Sequence, residues 1–289
     1  MAEKLPPPVL NPAPLAPGLY VVATPIGNLR DVTLRALDVL AAADLVLAED
    51  TRVTAKLMAA YGLKKRLERY DEHAAERARP GILKTLAEGG RVALVSDAGT
   101  PLISDPGYRL VREAVAQGTP VIPIPGASAT LAALSAAGLP TDRFLFAGFP
   151  PPKSAGRRTL FAELAPVRAS LVFFEGASRL GASLSDMAAV FGPREAVVAR
   201  ELTKLHETLA RGRLDVLAAD PALAAPKGEV VVVVAPGETE AASAEDAEAA
   251  LREALARLGP ADAAAAVAAA LGLNRRDLYR QALAMKATQ

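Results

Sequence analysis

Apolar residues along this chain fall into two alternating rhythms. Short continuous runs over residues 19–23, 44–48, 91–95 and 121–124 have the pattern of strands buried on both faces. Between them lie stretches of helical period. Leu34, Leu37 and Leu40 share one face of residues 31–43, and 51–61, 74–88 and 108–117 also read as helices. Strand and helix in strict alternation predict a mostly parallel sheet with crossover helices. A further run over 144–147 is cut off by the Gly-Phe-Pro-Pro-Pro-Lys segment of 148–153. Alternation then resumes, with strands expected over 170–174, 196–199, 207–211 and 228–235. The unbroken valines of 230–234 suit a central strand. The fold class is therefore α/β, with an N-terminal α/β domain over 18–125 and a second over 126–238.

Past residue 238 the composition turns to Ala, Glu and Arg. Eight of the ten residues of 261–270 are alanine, the best helix former. Leu-Gly-Leu-Asn at 271–274 breaks the pattern before a second helix over 275–285, so a small all-helical extension occupies 239–289 and resembles a helix-turn-helix. At the other end, six prolines within the first 17 residues predict a disordered leader over 1–17.

Composition narrows the function classes. The 289 residues contain no apolar run near the roughly 18 needed to span a bilayer, and the N-terminus does not have the form of a secretory signal. With no cysteine and only His73 and His206, neither a disulfide nor a metal site is expected. A cytoplasmic protein without membrane contact is the expectation. The net charge of +1 selects no partner by itself, but its distribution is uneven, with acids crowding 238–258 and Arg275, Arg276 and Arg280 following Asn274. Gly-x-Gly, Gly-Lys, His-Glu-x-x-His and Gly-x-Ser-x-Gly are all absent, which removes the usual support for dinucleotide binding, P-loop phosphoryl transfer, zinc hydrolysis and covalent serine catalysis.

What remains is a set of loops at strand ends. Thr24–Asn28, the segment 96–107 and Pro125–Ala129 follow strands of the first domain, so all three emerge at the carboxyl edge where parallel sheets bind ligands. Their small residues let backbone amides approach a ligand, and Asp97 can accept from a hydroxyl or amine. Ordinary turns have the same composition, but three on one edge favour a site. The second Ser-Asp pair, in Ser104-Asp105-Pro106-Gly107, reads as a helix start with Ser104 or Asp105 as N-cap and Pro106 in the first turn.

Five stretches in order, LYVVATPIGNLRDVTLRAL, AEDTR, VSDAGTPLISDPGY, LPTDRF and ARELTKLHET, resemble the ribosomal RNA small subunit methyltransferase I family within the tetrapyrrole methylase superfamily. The resemblance covers nearly all of 18–237. It implies two α/β domains of tetrapyrrole methylase type with S-adenosylmethionine (SAM) in the cleft between them, a homodimer, and 2′-O-methylation of a cytidine in the decoding region of 16S ribosomal RNA within the small ribosomal subunit. By the same resemblance Pro25, Asp97, Ala98, Gly99, Thr100, Ser128, Ala129 and Phe174 border the cofactor. Where the family often has Glu-x-Pro-His-Arg-Leu, this chain has Glu175-Gly176-Ala177-Ser178-Arg179-Leu180, which leaves Arg179 but no histidine to meet RNA.

Methyl transfer from a sulfonium needs no acid for its leaving group, only an oriented hydroxyl and a base. Glu49 and Asp50, at the end of the second strand, are candidates for the base; a helix N-cap with an Asp50–Arg52 ion pair explains the same residues. Lys204 and Glu207 are candidates for orienting the ribose or a phosphate, while His206 reads as an ordinary histidine. Lys153, Arg157 and Arg158, with Arg275, Arg276 and Arg280, are candidate RNA contacts, each group also readable as a solvated face. Two rivals share parts of this reading: a tetrapyrrole C-methyltransferase, and a SAM-sensing nucleic-acid-binding regulator without catalysis.

Overall fold

A computed structural model describes residues 14–237, 244–271 and 273–287, so most of the expected leader lies outside the described residues. The first half runs β1 (Gly18–Val22), α1 (Leu34–Ala42), β2 (Leu45–Ala48), α2 (Thr51–Ala60), β3 (Leu67–Arg69), α3 (Ala75–Ala87), β4 (Arg91–Val95), α4 (Tyr108–Ala116) and β5 (Val121–Ile124). Its strands pair in parallel, in the order β3-β2-β4-β1-β5. Alternate strand residues point to opposite faces, and both faces are covered. Leu19, Leu47 and Leu94 pack under Ile82 and Leu86 of α3 and Leu110 of α4. Tyr20, Val46 and Ala93 pack under Val39 and Leu40 of α1. That double burial is why these strands appear in the sequence as continuous apolar runs. β3 was not expected, because Leu67-Glu68-Arg69 has no such run. α1 starts later than expected, since the Thr33 hydroxyl caps it by accepting from the Ala36 amide (3.1 Å).

From β1 the chain winds towards β2, and from β4 towards β5 in the opposite direction. β1 and β4 are neighbours, so the winding reverses between them. There the loops that leave the two strands are tied together. The Thr24 amide donates to the Gly99 carbonyl (2.9 Å) and the Gly99 amide to the Thr24 carbonyl (3.0 Å). The Thr24 hydroxyl adds a bond to the Ser96 carbonyl (3.1 Å).

The second half continues with α5 (Ala129–Ala137), β6 (Phe144–Gly148), α6 (Ser154–Leu164), β7 (Ser170–Gly176), α7 (Leu180–Phe191), β8 (Glu195–Arg200), β9 (Thr208–Arg213), α8 (Leu214–Ala219) and β10 (Glu229–Val234). Here the sheet order is β6-β7-β10-β8-β9, and only β6 and β7 are parallel. The parallel pairing of the first sheet therefore does not extend to this one. The physical reason is that apolar runs report burial and not direction; a helical crossover forces parallel pairing, and β8 joins β9 through a short loop. β10 is central, and Val230–Val234 are buried on both faces. α5 follows β5 in the chain yet covers the second sheet, through Ala133, Leu134 and Ala137 against Val197, Val231 and Val233. The opposite face holds Phe161, Leu184 and Met187 against Leu171, Phe173 and Val232.

The chain divides into two compact units between Pro236 and Gly237. Both sheets belong to the first. The second comprises α9 (Ala244–Leu255), α10 (Pro260–Leu271) and α11 (Arg275–Ala287). Its own core joins Leu251, Ala263, Ala264, Val267, Leu278 and Ala282. Small alanines at these contacts let the three helices approach closely.

Candidate active site

Between the two sheets, at the point where the first one reverses its winding, lies a cavity of about 410 Å³. Asp97, Ala98, Gly99 and Thr100 form one wall, and Ser128 and Ala129 open a second. Phe174 and Glu175 of β7 and Gly228–Val231 around the start of β10 close it from the second sheet. Pro25 stands outside, in an adjoining cleft that shares Ile26, Asp97, Ala98 and Glu229 with the cavity.

Local chemistry fixes these loops. Gly99 adopts φ +87°, which favours glycine, and sits against Ile26. The Ser96 hydroxyl donates to the Gly99 carbonyl (3.1 Å) and that of Thr100 to Ala127 (3.4 Å). An oxygen of the Asp97 carboxylate accepts from the Asp50 amide (2.9 Å), which ties the β4 loop to the end of β2. Ser128 is the N-cap of α5. Two buried oxygens of residues that line the cavity, Thr130 Oγ1 and Glu175 Oε2, have no hydrogen-bond partner. The other Glu175 oxygen accepts from the Gly176 amide (2.8 Å) and pairs with Arg179 (2.9 Å).

The two base candidates part company. Asp50 is the N-cap of α2, and its carboxylate binds the Arg52 guanidinium (2.6 Å). Those bonds to Arg52 hold its carboxyl well below the usual carboxylate range. Asp50 thus has the cap-and-pair arrangement. Glu49 lines the cavity, and burial, followed by the negative charges of Asp105 and Asp97, pushes its carboxyl up.

The structure overturns the helix-start reading of the second Ser-Asp pair. α4 begins at Tyr108 with Gly107 as its N-cap, and no side chain caps it. Residues 102–105 instead line the cavity with Ile103, Ser104 and Asp105, because the backbone turns left-handed at Leu102 (φ 73°) and Ser104 (φ 64°). Burial pushes the Asp105 carboxyl up to about 6; its hydrogen bond with Ser96 pulls it down, and the charge of Asp97 adds to the rise. Sequence reasoning missed Asp105, Glu175 and Thr130. The one available signal was the repeated Ser-Asp pair of 96–107, and it pointed to Asp105 alone.

Lys204 and Glu207 have structural partners. The Lys204 ammonium binds Glu201 (2.8 Å) and Glu229 (2.9 Å), and these partners raise its pKa despite burial, which acts first and in the opposite sense. Glu207 accepts from the Thr203 amide (2.6 Å) and does not border the cavity. The Thr203 hydroxyl in turn accepts from the Asn28 amide (3.1 Å), so the loop after β1 is docked onto the loop between β8 and β9.

Among the basic candidates, Arg157 needs correcting. Its side chain is 6% exposed and its guanidinium is bound to Asp186 of α7 (2.7 Å) and the Pro152 carbonyl (2.8 Å), so it braces α6 and is not free to meet a phosphate. Burial raises the Asp186 carboxyl, but Ser154, Arg157 and Arg158 outweigh it and hold it low. Arg158 shares Asp186 from the solvent side, and Lys153 is exposed at the start of α6. Arg179 is committed to Glu175. In the second unit Arg275, Arg276 and Arg280 are exposed on α11, with Arg280 paired to Asp277.

A parallel sheet with a pocket at its winding reversal, facing a second mixed sheet, is the frame on which the family match rests, and that match makes the chain a methyltransferase of the tetrapyrrole methylase class. Residues 18–218 match the family of Tetrapyrrole (Corrin/Porphyrin) Methylases, and residues 241–286 match the RsmI C-terminal HTH domain. The chain belongs to the ribosomal RNA small subunit methyltransferase I family. It is 50% identical to the protein of that name from Mesorhizobium japonicum, covering 95% of this chain and 94% of the relative. It is 54% identical to that of Erythrobacter litoralis (94% and 97%) and 46% identical to that of Escherichia coli O157:H7 (92% and 94%). Among solved structures, diphthine synthase aligns with a TM-score of 0.58 at 18% identity over 75% of this chain and 89% of that one. Uroporphyrin-III-C-methyltransferase from Thermus thermophilus aligns with a TM-score of 0.53 at 24% identity (74% and 93%). Both likenesses are of fold.

The cofactor is SAM. The cavity fits it in size, since small-molecule sites usually run from about 300 to 1,000 Å³. It also fits in chemistry, because the unpartnered Thr130 and Glu175 oxygens offer acceptors to amine and hydroxyl donors of the kind SAM carries.

Proposed function

We propose that this protein transfers the methyl group of SAM to the ribose 2′-hydroxyl of a cytidine in the decoding region of 16S ribosomal RNA, acting in the cytoplasm on the small ribosomal subunit as a homodimer. Methylation of ribosomal RNA with SAM is the coarser part of the reading, and it rests on relatives that align over more than nine-tenths of the chain and are named for that substrate. The observation that carries the reading is the cavity at the winding reversal, with a glycine-lined wall for a cofactor and carboxylates at the end of β2 and in the β4 loop.

When bound, SAM supplies an electrophilic methyl group on a positively charged sulfur. The chain has three tasks. Asp97, Thr100, Ser128 and Ala129 from the first sheet's loops, with Phe174 and Glu175 from β7, hold the donor. The tie between Thr24 and Gly99 and the bond between Asn28 and Thr203 fix the walls, so that the acceptor meets the methyl group in line. Such positioning supplies roughly 7–11 kcal/mol, whereas a base typically adds ~10²–10⁴-fold. Lys153 and Arg158, with Arg275, Arg276 and Arg280, hold the RNA outside the cavity.

Labelled SAM should be incubated with small subunits lacking the modification, with naked RNA and a porphyrin precursor in parallel. Label on a cytidine ribose in the subunit RNA supports the reading. Label on the porphyrin alone overturns the substrate and keeps the fold. SAM binding without transfer to any acceptor leaves a sensor in place of an enzyme.

A further inference from the structure

Three carboxylates, Glu49, Asp97 and Asp105, line the cavity from the first sheet's side, with Asp50 behind them in a neighbouring cleft, and their surroundings differ. Asp50 is bound to Arg52, and Asp97 accepts the Asp50 amide. Glu49 and Asp105 remain, and among the described residues neither is paired with a cation. Across the cavity, Glu175 is tied to Arg179 and Glu229 to Lys204, so the second sheet presents no unpaired cation there. Asp105 is the one held by strained backbone. Leu102 and Ser104 both take left-handed conformations that non-glycine residues rarely adopt, and Gly107 (φ 133°) packs so closely on Leu94 that an added Cβ would lie 2.8 Å from its side chain. Strain of this kind persists only where surrounding structure enforces it, and it gathers at functional sites. Here its effect is to turn Asp105 away from the start of α4 and into the cavity.

We propose that Asp105 is the general base, the group that takes the proton of the ribose hydroxyl during methyl transfer. The assignment rests on the 2′-O-methylation reading above. In the step, the hydroxyl oxygen forms a bond to the methyl carbon as the carbon–sulfur bond breaks, and that electron pair returns to sulfur. The hydroxyl proton passes to a carboxylate oxygen of Asp105, which later yields it to water. The products are a 2′-O-methyl ether and a neutral thioether, and no further reactant is consumed. Burial suits the acid to this task, because a carboxyl pushed up to about 6 is a stronger proton acceptor than an ordinary one yet is still mostly ionised at neutral pH. Glu49, Asp97 and Ser96 face it from β2 and the β4 loop, and Asp50, Asp71 and Arg52 stand beyond them.

The test uses the full chain, unmodified small subunits and single-turnover transfer of labelled methyl between pH 5 and 8.5. Wild type should rise with pH and level off above an apparent pKa near 6. Asp105→Asn should lose about 100-fold or more in rate, lose the rising limb, and bind S-adenosylhomocysteine within about twofold of wild type by calorimetry. Asp105→Glu should recover part of the rate together with a limb, and it carries the test if the Asn variant does not fold. Asp105→Asn within about threefold of wild type, or with its limb intact, overturns the assignment. So does a limb that disappears only in Glu49→Gln. Ribose label from wild type alongside an unaffected Asp105→Asn would sink the assignment alone; no ribose label from wild type would sink the underlying reading with it.

Discussion

Asp105 is an acid in surroundings that disfavour its charge. Its carboxyl ionises near pH 3.8 unfolded and near 6 folded, so between those values the folded chain binds the extra proton. Stability therefore falls as pH rises through that window. Asp105→Asn, which cannot ionise, should melt above wild type at pH 7.5 and together with it near pH 4, as read by thermal unfolding. Arg157 is the opposite case, a cation whose burial is compensated by Asp186. Arg157→Ala takes the buried arginine from that carboxylate, which is 9% exposed, and leaves it Ser154 and Arg158, so it should cost about 3 kcal/mol in chemical denaturation. Lys153→Ala, at an exposed position one turn earlier, should leave stability within about 0.5 kcal/mol.

At the scale of elements, the loop between β8 and β9 holds the second sheet's edge of the cavity. Gly228 (φ +100°) lies so close beneath Glu201 that any Cβ would overlap the carboxylate binding Lys204. Gly228→Ala should open the Glu201–Lys204–Glu229 cluster, lower stability by roughly 1–3 kcal/mol and weaken S-adenosylhomocysteine binding in titration calorimetry. Much of this level was legible beforehand. The valines of β10 and the runs of β1, β2 and β4 announce themselves because both faces are buried, and glycine and proline mark the loops that leave them. Strand direction in the second sheet was hidden, since β10 meets partners more than 25 residues away that no local pattern names. The Asp105 loop was hidden too. Ser-Asp-Pro-Gly is good capping chemistry, and only tertiary contacts drive Leu102 and Ser104 left-handed. Arg157 looked like an RNA contact because Asp186 lies 29 residues on, outside any sequence window.

At the scale of the molecule, the two compact units carry different duties in the proposed function. The first builds the cavity; the second presents Arg275, Arg276 and Arg280 on a helix with its own core. A combined Arg275→Ala, Arg276→Ala and Arg280→Ala variant should keep cofactor binding and lose affinity for the small subunit. Each arginine that touches phosphate should flatten the log–log dependence of affinity on salt by about 0.7. An unchanged slope would place the RNA elsewhere.

The position of β10 sets a deadline on synthesis. Among the described residues it is the last strand made, yet it fills the middle of the second sheet, between β7 and β8. Until Val230–Val234 leave the ribosome, β7 and β8 each show a naked apolar edge, the kind that recruits strands from other chains. Released chains truncated before residue 229 should therefore sediment as aggregates, while released chains ending at 236 stay in solution. In this fold a premature stop a few codons too early is a solubility defect before it is a catalytic one.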